Sequence, residues 1–179
     1  MHVAHAQATG EWGRVLPVLV HEAMLVGLFV VRRAARATSA APSDWTVAIA
    51  GVLLPLGLRP AALPGRLATA GDVLQVAAVV AAVVVLARLG RRLGIVAAHR
   101  GVATGGPYRL VRHPAYVAYL AGYVGYLLSH PTPANAAIIV AWAGVTHARA
   151  LAEERLLARD PCYARYCERV PWRYVPGIA

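Results

Sequence analysis

Lysine is absent from all 179 residues of the chain, so its 18 basic side chains are all arginines. Acidic residues are scarce too, 8 in total, which leaves a net charge of +10. Charged residues make up 15% and hydrophobic ones 59%, a balance that excludes an ordinary soluble domain. A basic excess fits nucleic acid when it forms one patch. Here the arginines flank apolar runs, so no nucleic-acid partner is expected and loop orientation explains the charge. Cysteine is nearly missing: Cys162 and Cys167 stand five apart, matching no common metal or redox motif. Two reduced thiols and no bound metal are expected. The first residues carry His2 and His5 but neither a cationic n-region nor a small-residue cleavage site, so no removable signal peptide is expected.

What the chain has instead is apolar segments approaching the ~20 residues that cross a bilayer. The first runs from Val15 to Val31 behind an interfacial anchor, Trp12 and Arg14. It contains His21 and Glu22, and an ionisable group at that depth must face protein or water. Glu22 either touches a site or ties to a neighbouring helix, and the structural tie is the expectation. The second segment, Trp45 to Leu58, is short and kinked by Pro55 and Gly57. The third, Asp72 to Leu89, is a dense Val/Ala/Leu run. The fourth, Tyr116 to Leu128, places Tyr116, Tyr119, Tyr123 and Tyr126 on one helical face. Ala118, Gly122 and Gly125 fall opposite, where they permit close helix contact. The tyrosines either line a lipid-accessible groove or serve aromatic packing, and packing is the expectation. The fifth, Asn135 to Thr146, continues as helix through Glu154, and Asp160-Pro161 opens a last short helix. The arginine-rich loops after the first and third segments, with the C-terminal tail, belong inside. The expected fold is therefore all-α: one membrane domain over 1–179, a polytopic bundle of about five transmembrane helices. Its N-terminus lies outside, its C-terminus is cytoplasmic, and a cofactor pocket opens on the cytoplasmic face.

The densest chemistry lies between the third and fourth segments, from Gly105 to Tyr116. Twelve residues hold two arginines, a histidine, two tyrosines and two prolines. Pro114 suits a first helical turn, and the cations beside that helix start favour an anion. Read plainly, this is a positive loop that fixes topology. Glu153 and Glu154, on the same predicted face of the membrane, point further. Arg149 and Glu153 make an i,i+4 pair worth only a few tenths of a kcal/mol on a solvated face. Beside His113 the same residues would form a polar pocket, with carboxylates for a cation or hydroxyls and cations for a carboxylate. S-adenosylmethionine carries all of those groups, as many cofactors do.

Gly106-Pro107-Tyr108, Arg112-His113-Pro114 and Tyr116, followed by Glu153-Glu154, Tyr163, Tyr166 and Val170-Pro171, resemble the isoprenylcysteine carboxyl methyltransferase family. They are also similar to the related membrane phospholipid methyltransferases. The likeness covers about residues 86–176, so 85–176 is the expected cofactor-binding core. It implies S-adenosylmethionine held by Arg100, Gly101, Val102, Ala103, Gly106, Tyr108, Arg112, His113, Pro114, Tyr116, Glu153 and Glu154. Arg149 would face a lipophilic or lipid-like acceptor, with membrane lipids around it. The chain departs from the family's pattern around Arg159-Asp160-Pro161, where the usual Phe-Gly before the paired tyrosines is missing.

The implied reaction is in-line methyl transfer to a nucleophile on that acceptor. A carboxylate acceptor needs no general base, so the protein's work is alignment and exclusion of water. Arg149 offers the planar two-point donor that a carboxylate fits, and His113 serves the cofactor rather than acting as a base. Phospholipid amines and thiols are the alternative acceptors. A sterol-type reductase using a nicotinamide dinucleotide shares a similar Arg-His motif, and a non-catalytic membrane adaptor is the third reading.

Overall fold

The computed structural model describes residues 12–63 and 65–178. The anchor expected at Trp12 and Arg14 depends on side chains outside that description, as does the signal-peptide reading. The described chain is mostly helical. The helices are α1 (Trp12–Val30), α2 (Pro42–Leu53), α3 (Ala68–Leu89), α4 (Pro114–Ser129), α5 (Pro133–Leu157) and α6 (Pro161–Arg169). Two short strands, β1 (Ala37–Thr38) and β2 (Ala98–His99), add a small antiparallel ladder, Ala37 opposite His99.

Boundaries follow local chemistry. Proline occupies the first turn of α2, α4, α5 and α6, where a missing N–H costs no hydrogen bond. Thr132 caps α5 by accepting from the Asn135 N–H at 3.1 Å, and Asp160 caps α6 by accepting from Cys162 N–H at 2.8 Å. At its C-terminus α3 stops at Gly90, whose φ of +57° few side chains tolerate. Pro55 ends α2 earlier than expected: the α-helix closes at Leu53 and a 3₁₀ turn carries Leu54–Gly57. Twelve residues rise only about 18 Å, short of the ~30 Å hydrocarbon core. Among the described residues, α3 with its extension to Arg92 is long and apolar enough to cross a membrane. Apolar side chains also face outward on the other helices, among them Val26, Val30, Ile49, Leu56 and Val140.

The core sits where α3 meets α4. A Cβ on Gly125 would lie 2.7 Å from the Gly71 carbonyl, and one on Gly122 would lie 3.5 Å from Ala78 Cβ. Only small residues allow that approach, so the face bearing Ala118, Gly122 and Gly125 packs on α3 as its pattern predicts. The opposite, tyrosine-bearing face is thereby turned toward α1 and α5. Asn135, fully buried, pins the 58–61 connector: its amide donates to the carbonyls of Arg59 and His130 and its Oδ1 accepts from Arg59 N–H.

Candidate active site

The loop 90–113 lies against the start of α4, and the C-terminal tail crosses both. Backbone N–H groups of Arg112 and His113 donate to the carbonyls of Trp172 and Arg173, each at 2.9 Å. Tyr166 of α6, buried, donates its hydroxyl to the Tyr108 carbonyl at 2.7 Å. These bonds clamp the motif loop between α6 and the tail.

The two neighbouring glutamates of α5 have different surroundings. Glu154 is enclosed by basic side chains: Arg173 Nε donates to Oε2 at 3.0 Å, while His113 Nε2 and Arg112 Nη1 lie 3.1 and 3.4 Å from Oε1. Burial pushes its carboxyl up. The bonds from His113 and Arg173 and the charge of Arg112 outweigh this, holding it below the ordinary value of 4.5. Glu153 instead accepts the Tyr116 hydroxyl at 2.7 Å and lies 3.4 Å from Arg149 Nε. His113 stands between the two carboxylates, its ring stacked on Tyr116 with centroids 5.4 Å apart.

A cavity of about 750 Å³ opens beside Glu153. Its polar end is walled by the 101–103 loop, Arg92, Arg112, His113, Tyr116, Arg149, Glu153 and the tyrosines of α6, and its apolar end by α1, α2, Tyr119, Tyr123 and Trp142. Arg149 is held by its own Nη2, which donates to the Gly94 carbonyl at 2.9 Å. Its buried Nε faces Glu153 without hydrogen-bond geometry, and the buried Nε of Arg92 has no protein partner either.

Of the residues singled out from sequence, Gly101, Val102, Ala103, Tyr108, Arg112, His113, Tyr116, Arg149 and Glu153 line this cavity. Four do not, and each has a local reason. Arg100 turns away to donate to the Arg33 carbonyl at 3.0 Å. Gly106 has a φ of +61° and backs onto Arg88, leaving no room for a Cβ. Pro114 is buried in the first turn of α4. Glu154 is the anion that the motif's cations hold. The motif's basic side chains thus already hold one of the protein's own carboxylates, and two N–H groups there are taken by the tail. The tyrosine stripe divides: Tyr116, Tyr119 and Tyr123 line the cavity, with Tyr123 edge-on to Trp142, while Tyr126 packs on His130. Glu22 also lies in the cavity wall, and it is His21 that ties α1 to α4, with Nε2 3.1 Å from the Tyr119 hydroxyl. Sequence reasoning read Arg92 as a topology arginine and did not single out Trp142; nothing in their local sequence separates them from other arginines and interfacial aromatics.

Residues 66–161, more than half of the chain, match the phospholipid methyltransferase family. The chain belongs to that family. The match spans α3, the motif loop, α4, α5 and the start of α6, and so covers most of the cavity's polar end. It leaves out α1 and α2, which supply much of the apolar end. A search of curated proteins returned no match. The family places the protein among membrane methyltransferases with lipid-type substrates, in keeping with the apolar outer surface and with α3. The mixed polar and apolar cavity has the character such an enzyme needs.

Proposed function

We propose that this family member transfers a methyl group from S-adenosylmethionine to a lipophilic acceptor, using one domain whose cofactor-binding core is 85–176. The observation that carries the reading is the convergence of Glu153, Tyr116, His113 and Arg149 on one wall of a cavity that continues into apolar helices. The donor set fits the cofactor. Glu153 would receive its ammonium or ribose hydroxyls, and Arg92, whose buried Nε lacks a partner, would receive its carboxylate with Arg112. Val102, Leu157, Tyr163 and Tyr166 offer an apolar bed for its base. When bound, the cofactor supplies an electrophilic methyl carbon on a sulfonium. The protein's part is to hold that group in line with the nucleophile and to keep water out.

The acceptor would enter from the membrane between α1 and α2, where exposed Val26, Val30, Val52 and Leu56 border the cavity. Arg149 would hold its anionic group. The Nη1 of this arginine lies toward Gly51 of α2, across the acceptor side. A lipophilic carboxylate, such as that of an isoprenyl-cysteine, suits this guanidinium as a two-point partner. A phospholipid amine is the second reading, favoured by the family match and by Glu22 in the apolar wall. In either case the loops after α1 and α3 and the tail are cytoplasmic, and the N-terminus is outside. The test is Arg149→Lys, which keeps the charge and loses the planar fork. Methyl transfer to the preferred member of a panel of lipophilic acids, thiols and amines should collapse, with cofactor affinity nearly intact. Wild-type turnover by that variant would exclude two-point recognition and, with it, the main reason for favouring a carboxylate acceptor.

A further inference from the structure

His21 has no part in the proposed transfer and Glu22 only favours one acceptor class, although both occupy the middle of an apolar helix. His21 is 8% exposed, and both its ring nitrogens have partners: Nδ1 lies 3.2 Å from Glu22 Oε1 and Nε2 lies 3.1 Å from the Tyr119 hydroxyl. All three residues line the cavity. Tyr119 stands one helical turn beyond Tyr116, the partner of Glu153, on the same face of α4. A carboxylate, an imidazole and a phenol are thus joined in series along a wall that leads to the polar end. A tie between two apolar helices needs no carboxylate on the far nitrogen. Glu22, with 62% of its side chain exposed, would be costly at membrane depth unless it faced water or a polar ligand.

We propose that Tyr119, His21 and Glu22 form a proton relay that deprotonates an amine acceptor. The inference rests on the methyltransferase reading of the cavity and deepens its second acceptor chemistry. A primary or secondary amine arrives as an ammonium, whose nitrogen has no free pair. Its N–H bond breaks and the pair stays on nitrogen. The proton goes to the Tyr119 oxygen as that hydroxyl passes its own proton to His21 Nε2. The carboxylate of Glu22 stabilises the resulting imidazolium through Nδ1–H and fixes the tautomer that receives the proton. The nitrogen pair is then available to the methyl carbon, and the carbon–sulfur pair leaves with sulfur. A carboxylate acceptor has no such proton to lose. Tyr119 is the group that meets the acceptor; His21 and Glu22 act through it.

The titratable and charged groups sharing that stretch of wall are His21 and Glu22 on α1, Tyr119 and Tyr123 on α4 and Arg149 on α5. The experiment uses the full chain in detergent with S-adenosylmethionine and a long-chain phosphoethanolamine lipid as probe. His21→Gln keeps a hydrogen-bonding group for Tyr119 but cannot take up the proton. It should lower methyl transfer by about 10²–10⁴-fold and remove the acid-side inflection of the pH–rate profile. His21→Ala should regain turnover when imidazole is added, which a purely structural tie would not do. An assigned imidazole resonance of His21 should move when the lipid is added without cofactor, and Glu22→Gln should alter that response, a readout independent of turnover. Melting temperature and cofactor affinity, measured on each variant, separate loss of fold from loss of the relay. Wild-type turnover and an unchanged pH profile in His21→Gln, or no imidazole rescue of a folded, cofactor-binding His21→Ala, would overturn the relay. Absence of cofactor binding in the wild type would instead overturn the reading beneath it.

Discussion

Tyr116 donates its hydroxyl to Glu153 at 2.7 Å, joining the first turn of α4 to the C-terminal third of α5 at the cavity wall. Glu153→Gln should therefore weaken S-adenosylmethionine binding by roughly ten- to a hundredfold, the equivalent of one lost charged hydrogen bond of about 1.5–3 kcal/mol. Tyr116→Phe removes only the orienting bond, so its effect should be smaller, about two- to tenfold. Equilibrium binding of the cofactor to the two variants, with melting curves to establish folding, gives the comparison.

Glu154 should behave differently although it is adjacent. Its three basic partners belong to the motif loop and the tail, so Glu154→Gln should destabilise the protein by roughly 1.5–3 kcal/mol. Because the folded carboxyl is held low, its contribution is complete above the ordinary 4.5 and is lost as pH falls through the lower folded value. Melting temperature between pH 7 and pH 3 should fall on the acid side in the wild type, and that acid limb should flatten in Glu154→Gln.

The α3–α4 contact gives a paired test of packing. Gly125→Ala would set a methyl 2.7 Å from the Gly71 carbonyl and 2.9 Å from Gln75 Cγ, so it should cost about 1–3 kcal/mol. Gly144→Ala, in α5, meets nothing within 4 Å and should be neutral or stabilising by about 0.5–1 kcal/mol. Thermal unfolding in one detergent compares the two.

For topology, the proposed orientation makes a reporter fused after Ala179 cytoplasmic and one in the Ser129–Pro133 turn external. Finding both on one side would contradict the five-span arrangement.

Helix positions were legible because apolar runs, prolines and caps all act locally: Pro114, Pro161 and Asp160 mark helix starts within a few residues of where they form. The small-residue face of α4 was legible for the same reason, since helical period and side-chain size are both written in the chain. Partner choice was not. Adjacent glutamates carry identical local signals, and only the fold turns Glu153 to Tyr116 and Glu154 to Arg173, which arrives from the tail 19 residues later. The anion expected at the motif was legible as chemistry but not as identity, because charge pattern cannot tell an external ligand from a carboxylate of the same chain. The length of α2 was overread, since the point where Pro55 would convert the helix into a 3₁₀ turn depends on packing against α5. Arg92 and His21 join the cavity through contacts that no sequence window contains.

The proposed methyl transfer requires the cavity beside Glu153 to hold a sulfonium cofactor. Calorimetry of the detergent-solubilised protein, titrated separately with S-adenosylmethionine and with a reduced nicotinamide dinucleotide, tests it most directly. The expected result is saturable binding of S-adenosylmethionine that Glu153→Gln weakens by at least about tenfold, and no binding of the dinucleotide. Binding of the dinucleotide alone, or S-adenosylmethionine affinity unchanged in Glu153→Gln, would contradict it.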